Sequence, residues 1–467
     1  MEHIDILPEL QQLIRSDLAW HYRILPQQVT DERYVFYVDE TVDRIATAEE
    51  LEVLLGRKVN LIARDKTIVQ RALGLYYRNT NKEDDKVVLD SRTDFLDRLI
   101  QEANNLGSSD IHIEIFADNA RIRIRIDGNL IQRYSIDKKD YPELVNKIKI
   151  RSNLDISEKR LPQDGRIQYD DFDIRVSILP TLHGEKIVMR ILGHDASSIS
   201  IDKVGFSDFE KNNYLEGVKK PNGIILISGP TGSGKTTTLY ATLKYLNLEK
   251  RNIVTVEDPV EYTLEGINQV QLKESIGLTF ASALRSFLRQ DPDVIMLGEI
   301  RDGETAQMAI RAALTGHLVL STIHTNSAWG TISRLIDMGV PSFLLANTIN
   351  TSVAQRLVRK LCDSCKLEEE LKEEDWSLGN LTFDKPEKHT VAVGCDQCHY
   401  TGYSGRLALY EVIPIDKELS MCIKQNDQSI DTLLEERKIK KLAQRAFEVF
   451  TEGKTSLEEV YPLLTSY

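Results

Sequence analysis

The sequence has no apolar run long enough to cross a membrane, and it has fewer basic than acidic residues. A membrane-spanning helix needs roughly 18 or more consecutive apolar residues, and no segment of the 467 residues contains them. Lysine and arginine total 59 against 72 aspartates and glutamates, which gives a formal net charge of -13. Because nucleic acids attract basic surfaces, we expect no nucleic-acid partner. The local cluster Lys147, Lys149 and Arg151 is expected to be a solvated helix face.

Cysteine is scarce, and the amino-terminal stretch lacks the features of a secretory signal. Residues 1–10, MEHIDILPEL, carry acidic side chains where a signal peptide carries basic ones, and no cleavable apolar core follows. This pattern predicts a cytoplasmic protein that could still associate with a membrane through a partner. In a reducing compartment, the five cysteines are not expected to form a disulfide framework. Metal binding or catalysis is therefore the favoured use of these residues.

Composition and periodicity divide the chain into three units. Residues 1–78 mix helical and strand-like patterns and predict a small α/β module, followed by a charged linker at residues 79–86. Period-2 alternation in IHIEI, RIRIRI and FDIRVSIL predicts an α+β sheet domain over residues 87–195. Over residues 205–467, apolar strand-like runs alternate with helix-compatible segments, which is typical of a parallel sheet wrapped by helices.

The clearest signal is GPTGSGKTTT, which directly follows the strand-like run GIILIS and fits the pattern G-x-x-x-x-G-K-[ST]. In such a loop small residues let backbone N–H groups wrap phosphates, Lys235 supplies positive charge to the β/γ oxygens, and the Thr236 hydroxyl reaches Mg²⁺. The helix that follows adds its N-terminal dipole. The sequence therefore predicts binding of ATP or GTP with Mg²⁺. The predicted nucleotide-binding residues are Gly229, Pro230, Thr231, Gly232, Ser233, Gly234, Lys235, Thr236 and Thr237.

Three further segments place polar side chains at the ends of predicted strands. DVIMLGEIRD ends its strand in Gly298 and Glu299, where nucleotide-binding folds expect a magnesium-holding Asp. Glu299 could hold the ion through water, because Mg²⁺ usually keeps several waters. VTVEDPVEY closes its strand with Glu257, and TGHLVLSTIHTN begins with His317 and ends near His324. Each could be structural, as a helix cap or a buried histidine, but ligands of α/β sheets bind at the carboxyl ends of strands.

Four of the five cysteines form two C-x-x-C pairs, CDSC and CDQC. Tetrahedral zinc takes four soft ligands, and two such pairs can supply a closed structural site. Redox disulfide chemistry is the alternative, which the expected reducing compartment disfavours. The predicted Zn²⁺ ligands are Cys362, Cys365, Cys395 and Cys398.

Taken together, these motifs resemble one family, the ATPases of type II secretion and type IV pilus assembly. GPTGSGKTTT resembles its Walker A motif, VTVEDPVEY its Asp box, LRQDPDVIMLGEIRD its Walker B motif and TGHLVLSTIHTN its His box. The upstream domain agrees, with SSDIHIE, RIRIRIDG, EKRLPQDGRI and LHGEKIVMRIL. The resemblance implies a RecA-like P-loop parallel-sheet ATPase domain preceded by an α+β domain. It also implies an inserted tetracysteine zinc module at residues 357–407 and a helical part at residues 413–467.

The resemblance implies roles for individual residues as well. In this family glycine stands where other P-loop proteins have the strand-end Asp. By resemblance, Glu299 acts on the metal and the attacking water, Glu257 helps to orient that water, and His324 contacts the γ-phosphate. Arg166 and Arg175 match the arginines that the upstream domain of the family offers to the phosphates. Such an arginine stabilises charge as the γ-phosphoryl group leaves.

The implied function is a homohexameric, cytoplasmic Mg-ATPase that associates peripherally with the inner membrane through cytoplasmic parts of platform proteins. Type II secretion is the first candidate for its machine and type IV pilus extension the alternative. Pilus retraction ATPases lack the tetracysteine module, which disfavours that role. Residues 1–78 resemble part of the family's docking module, without the motif that would predict cyclic di-GMP binding.

Two interpretations from other classes stay open. A nucleotide-dependent nucleic-acid translocase is disfavoured by the acidic balance of the chain. A catalytically silent nucleotide-binding scaffold is disfavoured because Glu257, Glu299 and His324 occur together.

Overall fold

The computed structural model describes residues 4, 6, 10, 13–14, 16–30, 33–77, 95–193, 200–376, 383–399 and 401–465. The predicted linker at residues 79–86 lies outside them. Among the described residues, no helix is both long enough and apolar enough to cross a bilayer.

The amino-terminal unit is a three-stranded sheet with helices packed against it. Its strands and helices are α1 (Ser16–Tyr22), β1 (Ile24–Val29), β2 (Arg33–Asp39), α2 (Arg44–Leu55), β3 (Lys58–Arg64) and α3 (Lys66–Tyr76). Strand β2 is central, antiparallel to β1 and parallel to β3. A parallel pair needs a crossover connection, and α2 provides it. Phe36, Leu51 and Leu73 meet in the core of this α/β unit.

The second unit is a six-stranded antiparallel sheet with the strand order β6-β5-β4-β9-β8-β7. Its elements are α4 (Phe95–Asn105), β4 (Asp110–Ile115), β5 (Ala120–Ile126), β6 (Asn129–Ile136), α5 (Tyr141–Arg151), β7 (Gln163–Gln168), β8 (Phe172–Thr181) and β9 (Gly184–Gly193). In β5 the isoleucines Ile122 and Ile124 are buried against the helices, whereas the arginines between them face the other way. The two helices therefore cover one face of the sheet and leave the arginine-bearing face open.

One expectation for this unit is wrong, because Lys149 does not lie on a solvated helix face. Its side chain is fully buried, and its Nζ lies 2.6 Å from Glu185 Oε1 and donates to the Glu158 carbonyl oxygen at 2.6 Å. The cause is helical geometry, since residues two positions apart point to different sides of a helix. Lys147 lies on the solvent side and pairs with Glu143 at 3.0 Å, so Lys149 turns inward.

The third unit contains a seven-stranded sheet with the order β12-β11-β13-β14-β10-β15-β18. Its strands are β10 (Gly223–Ser228), β11 (Ile253–Glu257), β12 (Asn268–Gln271), β13 (Val294–Leu297), β14 (Leu318–Ile323) and β15 (Ile349–Leu361), with β18 (Tyr403–Pro414) after the hairpin of β16 (Leu367–Glu370) and β17 (Lys388–Val391). Its helices are α6 (Asp208–Val218), α7 (Lys235–Leu246), α8 (Phe280–Phe287), α9 (Gly303–Leu314), α10 (Gly330–Asp337), α11 (Ser342–Thr348), α12 (Glu373–Trp376), α13 (Lys417–Gln425), α14 (Asp431–Glu436), α15 (Leu442–Thr451) and α16 (Leu457–Thr465).

All neighbouring strands of this sheet are parallel except the edge pair β15 and β18. Helices cover both faces, which is why the central strands are continuous apolar runs. Within β10, Ile224 and Leu226 enter the core on one face, and Ile225 and Ile227 enter the core on the other. The predicted fold class is confirmed, and the four cysteines of the two C-x-x-C pairs come together between β15 and β18.

The buried ion pair of the second unit generates a stability prediction. Lys149→Met should lower the free energy of unfolding by about 3 kcal/mol or more, because Glu185 would keep a buried charge without its partner. Urea denaturation measures the change, with Lys147→Met as the control on the exposed side of the same helix. Equal stability of the two variants would contradict the prediction, and Lys149→Met/Glu185→Leu should be more stable than Lys149→Met alone.

Candidate functional site

The loop after β10 has a shape that only glycine permits at several positions. Gly229, Gly232 and Gly234 have φ angles of 149°, 81° and 85°, which side chains other than glycine rarely adopt. A Cβ on Gly229 would lie 2.5 Å from the Gln355 carbonyl oxygen, and one on Gly234 would lie 2.8 Å from Gln355 Nε2. Helix α7 begins at Lys235, so its first N–H groups border the same loop.

The polar groups of this loop suit a phosphate. The Lys235 ammonium donates to the carbonyl oxygens of Gly229 at 2.7 Å and Pro230 at 3.0 Å. Burial lowers the pKa of Lys235, Arg356 lowers this pKa further, and Glu299 opposes both. Ser233 Oγ is buried with no hydrogen-bond partner among the described residues. A loop with a cation, a free buried hydroxyl and a helix N-terminus fits nucleotide phosphates. The other predicted side chains, Pro230, Thr231, Thr236 and Thr237, are exposed.

Glu299 lies just beyond β13, in contact with an arginine and a histidine. Its Oε1 accepts a hydrogen bond from Arg301 Nε at 2.7 Å, and its Oε2 is 3.3 Å from His324 Nε2. The same arginine places Nη2 3.4 Å from Asp258 Oδ2. The structure thus brings together the predicted residues Glu299 and His324. Arg301 also belongs to this group. The sequence could have indicated it, because Arg301 lies two residues after Glu299 in the same motif.

The glycine at the end of β13 has a steric reason. A Cβ on Gly298 would lie 3.3 Å from the Val256 carbonyl oxygen and 3.4 Å from Glu257 Cα, both on β11. The backbone of Gly298 donates to Val256 O at 2.8 Å and accepts from Thr322 Oγ1 at 2.7 Å, which holds the strands together here. A side chain is crowded at this position, whereas Glu299, one residue later, has room.

Glu257 is buried and held by its own hydrogen bonds. Its carboxylate accepts from Thr255 Oγ1 at 2.5 Å, from Gln269 Nε2 at 3.1 Å and from the Tyr240 hydroxyl. Burial raises the pKa of Tyr240, and the charge of Glu257 raises it further. Within the described part of the chain, Glu257 has no hydrogen bond or ion pair with Glu299. The two predicted carboxylates therefore have different surroundings, one fixed in the protein interior and one beside the loop.

The two histidines of TGHLVLSTIHTN lie at opposite ends of β14. The ring nitrogen Nδ1 of His317 is 2.9 Å from the Ala312 carbonyl oxygen and 3.2 Å from Thr315 Oγ1, so this histidine closes the end of α9. Its surroundings match the structural alternative. Only His324 lies at the carboxyl end of the strand, beside Glu299.

Arg166 and Arg175 lie on the open face of the second unit. They stand opposite each other on β7 and β8. Arg166 forms an ion pair with Asp173, and Arg175 is exposed. Burial raises the pKa of Glu261, four residues after Glu257, while Arg190 and Arg175 lower it. Arg175 is therefore within electrostatic reach of the third unit of its own chain.

Two further polar residues of the sheet, Arg356 and Glu411, belong to none of the sequence motifs. Arg356 on β15 donates from Nη2 to the Asn326 carbonyl oxygen at 2.9 Å, and its Nη1 would lie 3.2 Å from a Cβ on Gly229. Glu411 on β18 is buried and accepts from the backbone N–H of Ala328 at 2.9 Å and of Leu442 at 3.2 Å. Burial raises the pKa of Glu411. Only the register of the folded sheet shows where these two residues lie.

The four predicted zinc ligands form a compact cluster. Their Sγ atoms all lie within 4.8 Å of one another, with separations of 3.9 Å for Cys362 and Cys395, 3.7 Å for Cys365 and Cys398, and 3.8 Å for Cys395 and Cys398. A tetrahedral ion with Zn–S bonds of about 2.3 Å sets its sulfurs about 3.8 Å apart. The Gly394 N–H also donates to Cys365 Sγ at 3.3 Å. The cluster fits zinc, and all four thiols are free.

Known proteins resemble this chain over most of its length. The family model "Type II/IV secretion system protein" matches residues 83–462. The type IV pilus assembly ATPase PilB of Myxococcus xanthus is 37% identical over 98% of this chain and 87% of its own length. The type II secretion system ATPase E of Vibrio cholerae is 43% identical over 78% of this chain and 74% of its own length. Type II secretion system protein E of Pseudomonas aeruginosa is 47% identical over 70% of this chain and 66% of its own length.

Solved structures resemble the fold. The ATPase DotB of Legionella pneumophila superposes with a TM-score of 0.61 at 21% identity, over 80% of this chain and 96% of that one. The pilus retraction motor PilT with bound ADP superposes with a TM-score of 0.54 at 27% identity, over 78% of this chain and 95% of that one. Because the sequence matches extend over most of both partners, the chain belongs to the type II/IV secretion system protein family, among the ATPases of secretion and pilus assembly.

Proposed function

We propose that this chain hydrolyses ATP with Mg²⁺ and uses the energy to assemble pilin-like subunits from the inner membrane for a type II secretion system. The observation that carries the proposal is the 3.3 Å contact between Glu299 and His324, beside the loop that contains Lys235. Phosphoryl transfer to water needs cations on the phosphate oxygens and a group that orients the attacking water. Lys235, His324 and Glu299 can supply these functions.

Within this proposal Glu299 is the main catalytic carboxylate. It contacts His324 and acts on the pKa of Lys235, so it belongs to the surroundings of the phosphates. Glu257 is held by donors from three side chains and is suited to orienting water through that fixed network. Thr236 and Glu299 would hold Mg²⁺, which when bound neutralises charge on the phosphates.

We also propose that six copies form a ring in which Arg166 and Arg175 approach the phosphates. Both arginines lie on the sheet face that the helices leave open, which supports this role. The motor would dock on cytoplasmic parts of inner-membrane platform proteins, because it must meet ATP on the cytoplasmic side. Membrane association would then be peripheral, through those partners.

A second candidate machine, type IV pilus extension, is favoured by a specific observation. The match to the pilus assembly ATPase of Myxococcus xanthus covers 98% of the chain, whereas the pilus assembly ATPase of Pseudomonas aeruginosa and the type II secretion ATPase of Vibrio cholerae each match 78% of it. We propose that the additional matched part includes the amino-terminal unit and that this unit is the docking module. The identity of the docking partner therefore decides between the two machines.

The assigned carboxylate can be tested with the purified ring. Glu299→Gln should lower kcat by roughly a hundredfold while ATP binding is retained, because the amide keeps the shape but loses the charge. The control is Glu304→Gln, which removes an exposed carboxylate that pairs with Arg285. Steady-state turnover and binding of a fluorescent ATP analogue measure the two effects. Undiminished turnover in Glu299→Gln would refute the assignment, whereas absence of turnover in the wild-type ring would favour a silent scaffold.

The same variant distinguishes the machines in cells. A deletion strain complemented with wild type or Glu299→Gln is compared by proteomics of the culture medium and by counting surface pili. Loss of specific exported proteins with intact pili would support type II secretion. Loss of pili with unchanged export would support the extension motor instead.

Arg175 generates a separate prediction. Arg175→Ala should retain nucleotide binding and lose most turnover in the assembled ring, since this guanidinium is assigned to the charge that develops in the transition state. Arg121→Ala is the control, because Arg121 lies on the same sheet and is engaged by Glu114 at 3.0 Å. Unchanged turnover of Arg175→Ala in a ring of normal size would exclude the role.

The cysteine cluster is proposed to bind zinc in a structural site. Freshly purified, reduced protein should contain about one zinc per chain, measured by plasma mass spectrometry. Cys365→Ser should lose the metal and lower the thermal stability of the third unit. Cys422→Ser is the matched control, because Cys422 lies outside the cluster. Wild-type protein with far less than one zinc would count against the site.

A further inference from the structure

The nucleotide loop packs against one residue of β15, Gln355. A Cβ on Gly229 would lie 2.5 Å from the backbone carbonyl oxygen of Gln355, and a Cβ on Gly234 would lie 2.8 Å from its Nε2. The backbone of Gln355 thus borders the first glycine of the loop, and its side-chain amide borders the glycine that precedes α7. Two bends of the loop therefore meet the same residue.

Gln355 is a polar residue on a sheet face that is apolar farther from the loop. Its neighbours on this face, Val353 on β15 and Val412 on β18, belong to the core that packs against α7. Gln355 itself is buried. Because a buried polar group without a hydrogen-bond partner costs free energy, a glutamine at this place needs polar partners inside the protein.

Those partners are two further buried side chains, Thr238 and Tyr410. The Thr238 hydroxyl, in the first turn of α7, donates to Gln355 Oε1 at 3.0 Å and lies 3.1 Å from the Tyr410 hydroxyl. Tyr410 stands directly opposite Gln355 in the antiparallel pair of β15 and β18. Its hydroxyl donates to the Val204 carbonyl oxygen at 2.9 Å. A continuous series of polar contacts therefore leads from the nucleotide loop to Val204.

Val204 lies in the segment through which the chain enters the third unit, between β9 and α6. We call residues 200–207 the entry segment. Its Phe206 ring packs on the Tyr410 ring, with the two centroids 3.9 Å apart. The hydroxyl and the ring of Tyr410 thus both contact the entry segment. The strand that touches Gln355 on one side therefore holds the entry segment on the other.

We propose that Gln355, Thr238 and Tyr410 are positioning residues for the nucleotide, which hold the loop in its phosphate-binding shape and tie that shape to the entry segment. Backbone N–H groups bind a phosphate only when they converge on it, so the affinity depends on how the loop is supported. The three side chains act through the loop and make no contact with the reacting groups. The inference rests on the proposed ATPase function and extends it to residues outside the predicted nucleotide-binding set.

The experiment uses full-length, assembled protein and measures ADP binding by isothermal titration calorimetry, with steady-state turnover in parallel. Thr238→Val removes the hydroxyl but keeps the shape, and it should raise the Kd for ADP by about tenfold, the scale of one buried hydrogen bond. Thr238→Ser keeps the hydroxyl and should stay within about threefold of wild type. In both variants kcat at saturating ATP should change by less than about threefold, because the loss is one of binding.

Tyr410→Phe tests the far end of the series and should raise the Kd for ADP by about fivefold. The matched control is Tyr214→Phe. Tyr214 is also buried, packs on the same Phe206 ring with centroids 5.1 Å apart, and has its hydroxyl 2.8 Å from Thr242 Oγ1 on α7. Both variants lose one buried hydroxyl and should lower the melting temperature, but Tyr214→Phe should bind ADP as the wild type does.

The double variant Thr238→Val/Tyr410→Phe should bind ADP about as weakly as Thr238→Val alone, since residues of one network are not additive. Additive losses, or equal affinities of Tyr410→Phe and Tyr214→Phe, would overturn this inference and leave the ATPase proposal intact. If melting curves show that Thr238→Val is unfolded, the comparison of Tyr410→Phe with Tyr214→Phe decides. A wild-type ring that binds ADP without hydrolysing ATP would overturn the ATPase proposal, and the affinities would still decide this inference. Absence of ADP binding by the wild type would overturn both.

Discussion

Strands β14 and β15 both run parallel to β10, and this pairing determines what can surround the glycine loop. Ser228, the last residue of β10, is in register with Ile323 on one side and Ala354 on the other. The residues that come next along the two strands, His324 and Gln355, are therefore delivered to the two flanks of the loop. A shift of β15 by one residue would exchange its two faces. Arg356 and the buried Gln355 would then change places, and the loop would lose its packing.

How much the sequence could predict depended on how local each signal was. The glycine loop is a contiguous pattern whose left-handed angles at Gly232 and Gly234 require the residues seen in the sequence, so its position and shape were predictable. The apolar runs predicted a parallel sheet. They could not predict the order of its strands, because buried strands of similar composition do not encode their neighbours. Lys149 was predicted wrongly, since a cluster that is basic in sequence is divided between two sides of a helix.

Contacts across long stretches of chain were beyond the sequence for a related reason. Arg356 reaches the loop only because β15 pairs with β10, and Glu411 reaches Ala328 only because β18 adds to the same sheet. The overall charge of -13 likewise gave no hint of the arginine-bearing sheet face of the second unit, where Arg175 stands opposite Arg190. Net charge averages over the surface, whereas a strand alternates its faces every second residue and can concentrate one sign on one side.

The buried carboxylate of Glu411 has a mechanical consequence. It joins the backbone after His324, at Ala328, to the first turn of α15, at Leu442, and no solvent reaches it to replace either bond. Breaking one bond would leave a buried donor or acceptor unsatisfied at a cost of roughly 1 to 3 kcal/mol. Glu411 therefore couples the position of the backbone at Ala328 to that of the first turn of α15. A shift of either segment that preserves both hydrogen bonds must move the other segment as well.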